Sequence, residues 1–117
     1  MSYKITMSLV CSYLFLAFTS CSNPLSNSVS VRYKVSGTAE TVDITYENAS
    51  GGTSQLSEVE LPWSITFEAN IGDFVYLSAQ NQGDEGSVTV TIYKNGDVFK
   101  QSTSEGAYVI ATASGTL

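Results

Sequence analysis

From Val29 onward, apolar and polar residues alternate with a period of two. Val29, Val31, Tyr33 and Val35 interleave with Ser30, Arg32, Lys34 and Ser36, and Gly37 closes the run. Successive side chains of a strand point to opposite faces, so this spacing predicts a strand with one face in a core and the other in water. Val42, Ile44 and Tyr46 repeat it against Thr41, Asp43, Thr45 and Glu47. The run Asn48-Ala49-Ser50-Gly51-Gly52-Thr53 is a loop by composition. Val59 and Leu61 mark a third strand ended by Pro62, and Trp63, Ile65, Phe67 and Ala69 a fourth. Gly72-Asp73 turns the chain into Phe74 to Gln80, where Val75, Leu77 and Ala79 share a face. After a turn at Gly83-Asp84-Glu85-Gly86, Val88, Val90 and Ile92 form the next inward row. Asn95-Gly96 is a strong hairpin signal, because both central residues tolerate positive φ. It sends the chain back along Val98 to Ser102, and Ala107 to Ala113 is the last strand.

No stretch of helical spacing interrupts this series. Seven or eight short strands, with turn signals about every 8–12 residues, predict an all-β fold, an antiparallel β-sandwich. Trp63 and Phe67 are its expected core anchors, since an aromatic side chain can bury about 150–250 Å². Tyr33, Tyr46 and Tyr108 fall in inward rows. Tyr76 and Tyr93 face outward, where an exposed ring can stack on a sugar or fill a partner's pocket.

The first residues follow a different rule. Lys4 precedes an apolar run from Ile5 to Phe18, and Thr19-Ser20-Cys21 ends it with small residues. The run is shorter than the roughly 20 residues that a spanning helix needs. It reads as a cleaved signal peptide over residues 1–20. Phe18-Thr19-Ser20-Cys21 resembles a bacterial lipobox, with Phe18 where Leu is usual. That resemblance implies acylation of Cys21 and a mature chain beginning there. Residues 21–28 then form the lipidated cysteine and a polar tether, and residues 29–117 the domain. Ser22 follows the cysteine, with no Asp to retain the protein at the inner membrane. This points to the periplasmic side of the outer membrane if the host is Gram-negative.

Charge and chemistry narrow the function. The chain has eleven acidic and five basic residues. Loss of Lys4 with the leader leaves four basic ones and a charge of −7. An acidic surface argues against nucleic acid and against an electrostatic grip on anionic lipid. There is no histidine, and the second cysteine, Cys11, lies in the leader. His-based catalysis, thiol nucleophiles and the usual zinc ligands are therefore missing, and no cofactor is implied. Glu58 and Glu60 share a strand face and could in principle serve as an acid–base pair, but solvated carboxylates are the ordinary reading. Asp84 and Glu85 fall far short of the six to eight oxygens that Ca²⁺ takes.

One resemblance runs through the domain. Tyr33-x-Val35-x-Gly37, Ile44-x-Tyr46, Leu61-Pro62-Trp63-Ser64-x-Thr66, Ala79-Gln80 and Ile92-x-x-Asn95-Gly96-x-Val98 occur in this order. The series resembles the MmpS family, small membrane-anchored accessory proteins of MmpL transporters, which are resistance-nodulation-division (RND) exporters. It implies an immunoglobulin-like sandwich outside the cytoplasmic membrane and a helper role in export. Two features depart from the family. Its mycobacterial members usually carry a spanning helix where this chain has a lipoprotein signal. Many also hold a cysteine pair where this chain has residues such as Val90 and Ala111.

Leu61-Pro62-Trp63-Ser64 is the most specific element. Pro62 limits pairing before the strand, Trp63 enters the core, and Ser64 offers a hydroxyl to the turn. The expected function is that of a non-enzymatic adaptor, held to the membrane through Cys21 and serving an RND-type transporter or another envelope protein. The alternative is an envelope binding module for a glycan or an apolar ligand, working through Tyr76 and Tyr93.

Overall fold

The computed structural model describes residues 27–117, and in them the period-two rows become eight strands. These are β1 (Ser28–Ser36), β2 (Thr41–Glu47), β3 (Thr53–Glu60), β4 (Trp63–Asn70), β5 (Phe74–Asn81), β6 (Ser87–Lys94), β7 (Asp97–Glu105) and β8 (Ile110–Thr116). They form two antiparallel four-stranded sheets, ordered β4-β1-β6-β7 and β3-β2-β5-β8. The fold is all-β, a sandwich of two such sheets. The β2–β3 and β6–β7 connections stay within a sheet, and the others cross between sheets.

The core lies between the inward rows. Val29, Val31, Tyr33 and Val35 of β1 meet Val42, Ile44, Leu77 and Ala79 of the other sheet, all essentially without solvent contact. Val90 of β6 and Ala111 of β8 are fully buried on strands that approach one another across the sandwich. The two layers are closest along β5, β6, β7 and β8. Gly115 shows how tight that side is, because a Cβ there would sit 2.9 Å from the Phe99 ring.

Three strands depart from the sequence pattern. β3 starts at Thr53, within the expected loop, and ends before Leu61, which lies in the corner to β4. A bulge explains the shift. Glu58 takes φ 54°, its N–H donates to Asp43 Oδ1 at 3.0 Å, and Ser57 and Glu58 are both exposed. Leu56 and Val59 thus both pack on the core although they are three residues apart, as a bulge allows. β7 runs to Glu105, beyond the expected Ser102, and its register slips between Ile92 and Tyr93. Phe99 therefore packs on the core, and Val98 is 57% exposed. β8 begins at Ile110. Tyr108, expected in the core, has φ 55° in the β7–β8 loop and is 57% exposed; Ala111 and Ala113 are the inward pair.

The loops near Asn81 are fastened by that side chain. Asn81 is fully buried, donates to Glu85 O at 2.9 Å and Gly106 O at 3.0 Å, and accepts from Gly83 N–H at 2.9 Å. A buried amide with its polar atoms satisfied can hold two loops in one arrangement.

Candidate functional site

Leu61 and Pro62, joined by a cis peptide bond, form the corner at which the chain leaves one sheet for the other. Trp63 then opens β4 opposite Val35 of β1, and Ser64 lies exposed across from Lys34. β3 and β4 are edge strands of different sheets, on the side where the layers are not drawn together. Their inward side chains show the consequence. Leu56, Val59, Trp63, Ile65 and Phe67 are only partly buried, and Ala69 alone among the inward residues of β4 is buried. The result is an apolar seam running from the Leu61-Pro62 corner along one long side of the sandwich.

Aromatic rings fill the seam. Trp63 lies 5.6 Å from Tyr46, Tyr46 lies 5.7 Å from Tyr33, and Tyr33 lies 5.1 Å from Phe67, the last two pairs edge to face. The Trp63–Tyr46 and Tyr46–Tyr33 pairs join the two sheets where aliphatic packing is thin, and Tyr33–Phe67 packs neighbouring strands of one sheet. Tyr33 is fully buried, and its hydroxyl crosses to the other sheet, donating to Glu47 O at 2.8 Å. It accepts the backbone N–H of Tyr76 at 3.4 Å. Burial pushes the Tyr33 hydroxyl up to about 12, the hydrogen bond from Tyr76 opposes that, and the charges of Glu47 and Tyr46 add to it. At the far end of the seam, Glu47, Asn48, Phe67, Ala69 and Phe74 border a recess of about 210 Å³.

The other candidates do not converge. Tyr76 lies on the outer face of β5, stacked on Phe74 at 6.5 Å, and Tyr93 on the outer face of β6, with Arg32 5.4 Å above its ring. These strands belong to different sheets, so the two rings face away from each other and cannot grip one ligand together. Glu58 and Glu60 are exposed on the edge strand β3. Asp84 and Glu85 border a shallow depression with Glu40. Among the described residues no group of three or more carboxylate, histidine or cysteine side chains could hold a metal ion. No described helix is long and apolar enough to cross a membrane. Cys21 and the expected signal peptide lie outside the described residues.

Sequence reasoning did not single out the exposed apolar residues Ile71, Phe74 and Val98. Ile71 carries a legible signal, an apolar side chain within the polar turn Asn70-Ile71-Gly72-Asp73. Val98 carries none, because its exposure follows from the β6–β7 register slip.

Comparison with known proteins places this architecture. Proteins named "Probable transport accessory protein MmpS2" from Mycobacterium bovis and from Mycobacterium tuberculosis are each 37% identical to this chain over 70 residues. That stretch is 59% of this chain and 48% of theirs, so the chain spans about half the length of the curated relatives it matches. The family model described as "Mycobacterium membrane protein" matches residues 16–114, which include all but the last two residues of β8. On that match, the chain belongs to the Mycobacterium membrane protein family, the MmpS family.

Proposed function

We propose that this chain is a non-enzymatic accessory protein of an envelope export system, tethered by lipid on Cys21 beside an RND-type transporter. The likeness to proteins named transport accessory proteins carries this reading. The chemistry supports it. The chain has no histidine, and its outward carboxylates and tyrosines are spread over separate faces. The apolar seam suits contact with another protein better than turnover of a substrate, because half-buried aromatic side chains are typical anchors of interfaces. The Leu61-Pro62-Trp63 corner is the part of the seam offered to the transporter. It lies at the end of β4 opposite Asn70, which pairs with Ser28 near the point where the tether joins.

The test is crosslinking of the full chain in its native envelope, followed by affinity purification. Recovery of an RND-type transporter above an untagged control is the expected outcome. Recovery of no envelope transporter would remove the partnership.

A further inference from the structure

The two ends of the sandwich differ in kind. One is formed by Asn27, the β2–β3 loop, the β4–β5 turn, the β6–β7 hairpin and the C-terminus. Backbone hydrogen bonds tie it together: Ile71 N–H to Asn27 O, Gly72 N–H to Leu117 O and Asn95 N–H to Ser30 O, each 2.8 Å. Three large apolar side chains stand more than half exposed at this end, Ile71 at 55%, Phe74 at 52% and Val98 at 57%. Tyr76 extends the Phe74 stack over one outer face, and Tyr93, paired with Val98, does the same on the other. Lys94 and Lys100 lie 5.5 and 5.3 Å from the Phe99 ring nearby. The apolar and aromatic groups thus run round the end as a girdle, with flexible cationic stems among them.

The opposite end is acidic. Its loops and strand ends carry Glu40, Glu60, Asp84, Glu85 and Glu105 and no Lys or Arg, whereas the first end sets Lys94 beside Glu47, Asp73 and Asp97. Tyr108 and Ile110 are exposed there too, but no lysine or arginine stands at that end to keep a stem in water beside them, and the tether joins at the other. The chain also limits how far the first end can stand from its attachment. Residues 22–26 separate Cys21 from Asn27. An extended chain spans at most about 3.6 Å per residue, so Asn27 lies within about 20 Å of Cys21.

We propose that the Ile71–Phe74–Val98 end rests directly on the lipid surface. Apolar side chains enter the boundary between headgroups and acyl chains, tyrosines sit at headgroup level, and lysine stems reach back to water. The excess of acidic residues leaves this contact apolar rather than electrostatic. Contact at this end holds the domain upright, with the Leu61-Pro62-Trp63 corner farthest from the bilayer. The inference rests on the reading of the N-terminal end as the membrane-attached one, and adds that the folded domain itself touches lipid.

The sole tryptophan, Trp63, is a built-in reference. It stands at the far end of the eight residues of β4, which rise about 3.4 Å each, roughly 24 Å in all. The full acylated chain is placed in phosphatidylcholine vesicles, recovered by flotation, and compared in lipid with plain and with brominated acyl chains. In the wild type the bromines leave Trp63 emission unchanged. In Phe74→Trp, and independently in Ile71→Trp, they remove most of the added emission, with circular dichroism showing both variants folded. Chain that floats with neither variant quenched refutes contact. Chain that floats with Trp63 quenched as strongly as the added tryptophans refutes the upright orientation. Chain that does not float refutes the membrane attachment, and the docking with it.

Discussion

Replacing Tyr33 with Phe removes one oxygen from between the two sheets and leaves the ring in place. That oxygen donates to Glu47 O at 2.8 Å and accepts from Tyr76 N–H at 3.4 Å, both across the gap between sheets. Its loss leaves a part-buried carbonyl and N–H each with one partner fewer, which costs about 1–2 kcal/mol at neutral pH. The pH dependence separates this from a packing effect. A tyrosine in the unfolded chain ionises near 10, whereas burial holds the Tyr33 proton in the folded protein up to about 12. Between these values the unfolded state binds fewer protons than the native one, so stability falls as pH rises. The stabilisation is complete below pH 10 and is lost through about pH 12. Phe has no proton to lose. Wild type should therefore lead Tyr33→Phe by about 1–2 kcal/mol near pH 8, and the lead should shrink as pH rises from about 10 towards 12. Urea unfolding followed by Trp63 fluorescence across this range measures both curves. A gap that stays constant from about pH 8 to 12 would refute the buried, proton-holding role of Tyr33.

Other substitutions test separate links. Asn81→Ala strips partners from Glu85 O, Gly106 O and Gly83 N–H, and should cost about 2–4 kcal/mol, read as a lowered Tm with faster amide exchange in the β5–β6 and β7–β8 loops. Cys21→Ala should leave the circular dichroism of the domain unchanged while moving the chain from the membrane to the soluble fraction. A variant that stays wholly with membranes would exclude lipid on Cys21 as the anchor.

The strands that were legible in sequence are mostly those with partners on both sides. β1, β2, β5 and β6 occupy interior positions of the two sheets, and their inward rows are the ones the alternation assigns. A strand hydrogen-bonded on both edges stays regular, so the period of two carries from residues to faces without interruption. The misread strands are edges. β3 gains a bulge at Glu58, β7 slips against β6 after Ile92, and β8 starts three residues later than its composition suggests. An edge has one neighbour to hold its register, and a single bulge sends every later side chain to the other face. That is why Val98 emerges exposed while Phe99 turns inward; Tyr108 is exposed because it lies in the β7–β8 loop, before β8 begins.

The sequence by itself determined the all-β fold, most of the core, the family resemblance and the absence of histidine chemistry, because each depends on residue identity and short-range spacing. Tertiary structure decided the rest. Alternation correctly turns Tyr76 and Tyr93 outward, but strand order alone assigns them to opposite faces. Ile71 and Val98 are 27 positions apart in the chain and come to one end of the sandwich only because β4, β6 and β7 pack antiparallel through β1. Leu61-Pro62-Trp63 is visible as a motif in one dimension. That it begins an open seam follows from two edge strands of different sheets lying side by side, a relation that no local pattern of residues encodes.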